Sequence, residues 1–71
     1  MFDEHAQVVL KRPLPSLGLE PGAVGVIVHI YGEGAAYEVE FLSLDGSTIG
    51  VSTVEADDLR QASPGQDSNI F

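Results

Sequence analysis

The chain has 71 residues, eleven acidic and three basic, for a net charge of −8 and no cysteine. That length allows one small domain, which buries only about 60% of its unfolded surface, and the absence of cysteine excludes disulfides and thiolate metal sites. The charge works against DNA, RNA and anionic membranes, which recruit cations, and favours a basic protein as partner.

The opening Met1-Phe2-Asp3-Glu4-His5 is acidic, without the positive start and apolar run of a secretory signal. No apolar stretch approaches the ~20 residues of a membrane span, so a soluble cytoplasmic protein is expected. The first strand signal is His5 to Lys11, centred on Val8-Val9-Leu10, with Val8 and Leu10 on one face and Gln7 and Lys11 on the other. Pro13 and Pro15 end that ladder, because proline has no amide hydrogen to donate. Leu14 to Gly22 reads as an ordered loop whose leucines fold back over one end of the core.

Pro21-Gly22 marks a turn into Ala23 to Tyr31, the strongest strand in the chain and rich in β-branched residues. Simple alternation puts Val24, Val26, Val28 and Ile30 on one face and Gly25, Ile27, His29 and Tyr31 on the other. Apolar residues on both faces imply a central or strongly curved strand, and Gly25 implies a bend or a close backbone approach. After the turn Gly32-Glu33-Gly34, the segment Tyr37-Glu38-Val39-Glu40-Phe41 alternates with Tyr37, Val39 and Phe41 inward and both glutamates outward. Asp45-Gly46 signals a tight hairpin into Ser47 to Val54, where Ile49 and Val51 share a face opposite Gly50.

The β pattern breaks at Val54. Ser52 and Glu55 have capping-box spacing, and so few residues favour a single 3₁₀ turn through Asp57-Asp58. Leu59 is then expected in the core and Arg60-Gln61-Ala62 in a last short strand, with 63–71 a flexible tail. The expected fold is all-β: a small SH3-like (KOW-like) barrel of about five short strands over residues 1–62, with one 3₁₀ turn.

Val8-Val9-Leu10, Leu14-Pro15, Gly18-Leu19, Pro21-Gly22-Ala23-Val24-Gly25, Tyr37-Glu38-Val39-Glu40-Phe41, Asp45-Gly46 and Ala56-Asp57-Asp58-Leu59-Arg60 form an ordered set. Over roughly residues 2 to 60 this set resembles the bacterial domain of unknown function 4926 family. The family is similar to SH3-like barrels, and Gly22-x-x-Gly25-x-Ile27 looks like the turn and strand of the ribosomal KOW motif. The resemblance implies a companion of other small bacterial genes, as antitoxins and immunity proteins are, and it carries over no functional residue. The acidic charge departs from RNA-binding KOW proteins.

Catalytic signals are weak. There is no Gly-x-Ser-x-Gly elbow, and His29 reads as a residue packed on a sheet face rather than a base. Glu38 and Glu40 face the same way, but a barrel this small leaves little room for a cleft between carboxyls, so they read as a solvated face. His5, His29 and Asp57-Asp58 match no zinc or EF-hand spacing. Gly18-x-x-x-Gly22-x-x-Gly25 lacks the Gly-Lys-Ser/Thr ending and the helix of a phosphate loop. No enzyme activity, cofactor or metal is therefore expected.

What remains is charge. Glu38, Glu40, Asp45, Glu55, Asp57 and Asp58 occur with no Lys or Arg between them, and they form the candidate partner-binding set of an acidic protein-interaction module. Its bland alternative is acidity that only keeps a small domain soluble. A second hypothesis is an accessory subunit docking through Ile27, Tyr31 and the Leu17-Leu19 loop, or self-associating as a homo-oligomer by edge pairing. The third is nucleic-acid binding by Lys11 and Arg12 with Tyr31 or Phe2 for stacking.

Overall fold

A computed structural model describes residues 1–62; the expected tail, 63–71, lies outside the described residues. Five antiparallel strands follow one another as β1 (Gln7–Leu10), β2 (Val24–Tyr31), β3 (Ala36–Leu42), β4 (Thr48–Glu55) and β5 (Leu59–Gln61). Their order across the sheet is β4-β3-β2-β1-β5, so the last described strand lies beside the first in a small barrel-like, all-β domain. Two 3₁₀ turns interrupt it, Pro15–Leu17 and Ala56–Asp58, one more than expected.

The alternation in β3 is carried out in full. Tyr37, Val39 and Phe41 are buried and join Val8, Leu10, Ile27, Val54 and Leu59 in one apolar cluster. Each such side chain contributes about 1.5–3 kcal/mol by leaving water. Val9 and Val24, partners across β1 and β2, are also buried, so β1 is covered on both faces rather than one. Leu14, Leu17, Leu19 and Phe2 close over this cluster as partly buried lids. Phe2 packs its ring 5.3 Å from that of Tyr37, and its amide donates to Tyr37 Oη at 3.1 Å.

Two local expectations, the alternation of β2 and the capping box, are corrected. In β2 the register shifts between Ile27 and His29, as at a β-bulge. Ile30 thereby joins the core side with Ile27, while His29 and Tyr31 turn outward with Val26. In β4 it is Val54 that is buried, with Gly50 opposite Phe41, whereas Ile49 and Val51 are exposed. β4 continues to Glu55, so Ser52 and Glu55 lie in a strand and no side-chain capping bond begins the second 3₁₀ turn.

Candidate functional site

The outer side of β2, β3 and β4 gathers three of the six candidate acidic residues. Backbone register sets its composition. His29 stands opposite Glu38, which stands opposite Thr53; Val26 faces Glu40, which faces Val51; Tyr31 faces Ala36, which faces Glu55. Partners directly across antiparallel strands share a face, so Glu38, Glu40 and Glu55 lie on one side with His29 and Tyr31.

Hydroxyl groups orient the two central carboxylates. Thr53 Oγ1 donates to Glu38 Oε1 at 2.7 Å, and Tyr31 Oη reaches the same oxygen at 3.3 Å. Thr48 Oγ1 donates to Glu40 Oε2 at 2.6 Å. Both threonines belong to β4, and Tyr31 of β2 shares the Glu38 oxygen with Thr53. His29 and Tyr31 stack edge to face with ring centroids 4.7 Å apart. Neither threonine was singled out by the sequence, because only the strand register sets them beside glutamates.

The other acidic residues of the set are elsewhere. Asp45 sits at the β3–β4 hairpin, where its carboxylate accepts from the Ser43 hydroxyl and from the Ser47 amide at 2.9 Å. The Ser43 hydroxyl first, and then the Ser47 amide, lower its pKa from 3.8 to about 2. Gly46 follows at φ 88°, the left-handed residue that such a hairpin loop needs. Asp57 and Asp58 lie in the second 3₁₀ turn beside β5. Asp58 is 3.4 Å from Arg12 Nε and accepts the Lys11 amide on its backbone carbonyl at 2.8 Å. The six acids are thus divided among a sheet face, a hairpin and a 3₁₀ turn.

The residue sets of the other two hypotheses do not assemble. Ile27 is fully buried, and Leu17 and Leu19 pack against the core, which leaves Tyr31 alone of the proposed apolar docking residues exposed. Arg12 turns to Asp58, Phe2 to Tyr37 and Tyr31 to Glu38, so no shared basic and aromatic spot forms from them. Among the described residues no three His, Cys, Asp or Glu side chains gather as a group able to hold a metal ion. Nor, among those residues, is any helix long and apolar enough to cross a membrane.

A family model described as Domain of unknown function (DUF4926) matches residues 4–61, a span that takes in all five strands. The chain belongs to this family. No curated protein and no solved structure matches this chain. The outer sheet face lies wholly within the matched residues.

Proposed function

We propose that this DUF4926 domain is a small acidic protein-interaction module whose partner is a basic protein. The partner is the product of a neighbouring bacterial gene, and the domain acts in the cytoplasm as its antitoxin or immunity-type companion. One observation carries the reading: Glu38, Glu40 and Glu55 share an open sheet face, while no Lys or Arg occurs anywhere from Pro13 to Leu59. An uncompensated face of this kind attracts a cationic surface, speeds encounter and rejects acidic competitors. It also disfavours phosphate backbones, for which cations are needed. Exposed Tyr31 and Val51 add aromatic and apolar contact beside the charge.

The test is calorimetric titration of the neighbouring gene product with the full chain at low salt. The double substitution Glu38→Lys, Glu40→Lys is expected to weaken binding by about a hundredfold or more. Asp57→Lys, off the face, is expected to change it little. Equal affinity for the native chain and the double variant overturns the assignment.

A further inference from the structure

β4 ends the sheet and pairs only with β3. Among the described residues, no backbone hydrogen bond joins its other edge to any segment. The opposite end of the sheet, β5, has three residues, whereas β4 has eight. A long free edge is a template for another strand, and proteins ordinarily blunt it with prolines, lysines, bulges or short length. β4 reads Thr-Ile-Gly-Val-Ser-Thr-Val-Glu, with no proline and no cation. Its one irregularity lies near the hairpin, where the register shifts between Phe41 and Leu42. From Gly50 to Glu55 the pairing with β3 runs without a break, so this part of the edge is straight enough to be extended.

The charge is arranged along the same edge. Thr48 and Thr53 of β4 donate to the carboxylates of Glu40 and Glu38, and Glu55 belongs to β4 itself. A strand added to β4 lies about 4.8 Å beyond it and places alternate side chains on this outer side, roughly 6.8 Å apart. Glu38 and Glu40, two residues apart on one face, repeat at that same interval. Lys or Arg at alternate positions of the added strand therefore reaches the carboxylates across Val51 and Thr53. A second copy of this chain is a poor occupant: its own β4 has no cation, and each copy carries a net charge of −8.

We propose that β4 is a docking edge that accepts an extended segment of a partner protein with Lys or Arg at alternate positions. The backbone supplies the hydrogen bonds of strand addition and the three glutamates select the charge pattern. This rests on the basic-partner reading above and adds a mode of binding to it.

The probe is the blocked peptide Lys-Val-Lys-Thr-Lys-Val-Lys, compared at low ionic strength with the same peptide N-methylated at every residue, which has the same charge but no amide hydrogen for a ladder. Amide hydrogen exchange of the full chain is followed by NMR, with sedimentation as a check on its size. The first peptide is expected to slow exchange of the Val51, Thr53 and Glu55 amides, which point away from β3, by about tenfold or more. The N-methylated peptide is expected to bind about tenfold more weakly, and Glu38→Lys, Glu40→Lys to abolish binding of both.

Equal binding of the two peptides, with shifts at His29, Glu38 and Glu40 but no slowing in β4, overturns the docking edge and leaves the acidic face intact. Binding of neither overturns it as well; the face is then judged by the neighbouring gene product alone. Slow exchange of the Val51, Thr53 and Glu55 amides, which point away from β3, before peptide is added also overturns it, because a second copy (in a dimer) or the chain itself (in a monomer) then occupies the edge.

Discussion

Gly25 lies so close to Val39 that a Cβ built on it would stand 2.6 Å from Val39 Cγ1, and 2.8 Å from the Glu40 carbonyl oxygen. Both neighbours belong to β3, and the carbonyl is backbone that cannot swing aside. Gly25→Ala is therefore expected to destabilise the domain by about 1–3 kcal/mol, read as a lowered midpoint in urea with unchanged slope. Gly50 offers the contrast. A Cβ there meets only the side chain of Leu17, its nearest methyl at 2.8 Å, and no backbone atom among its three nearest neighbours. Gly50→Ala is expected within about 1 kcal/mol of the native chain, because a less flexible unfolded chain offsets the crowding.

Tyr37 is buried, yet its hydroxyl accepts the Phe2 amide at 3.1 Å. Tyr37→Phe keeps the ring and removes that acceptor. The expected loss is about 0.5–1.5 kcal/mol in denaturant unfolding, with faster hydrogen exchange at Phe2. An unchanged exchange rate there would show that the tie does not hold the N-terminus.

The hairpin gives a pH signature. Hydrogen bonds from Ser43 and Ser47 lower the Asp45 pKa to about 2, below its ordinary 3.8. A carboxyl whose folded pKa is depressed stabilises the native state fully above the unfolded value, and that contribution is lost as pH falls toward the folded one. Asp45 is thus expected to withdraw support between about pH 4 and pH 2. NMR titration of the Asp45 carboxyl should find its midpoint near 2, and Ser43→Ala should move that midpoint upward.

Arg12 and Asp58 make an ion pair in which the arginine side chain is 71% exposed. Screening by water limits such pairs to about 0–1 kcal/mol. The backbone bond from Lys11 to the Asp58 carbonyl remains when the side chain is cut. Arg12→Ala is expected to shift the urea midpoint only slightly, and less still at high salt.

The alternation of Tyr37 to Phe41, the turns at Pro21-Gly22 and Asp45-Gly46, and the folding back of Leu14, Leu17 and Leu19 were all legible in the sequence. Each is local: period-two burial, a positive φ or an apolar run needs only its own residues to declare itself. The sequence by itself also determined the all-β class and the concentration of acid between Pro13 and Leu59. The tertiary structure alone decided which side chains meet. A register shift after Ile27 moves His29 and Tyr31 to the glutamate face, and pairing with β3 sets Thr48 and Thr53 beside Glu40 and Glu38. The second 3₁₀ turn carries Asp57 and Asp58 away from that face toward β1. The physical reason is that strand register is fixed by contacts between distant segments, so moving one strand by a single residue exchanges core and solvent faces without changing any local pattern.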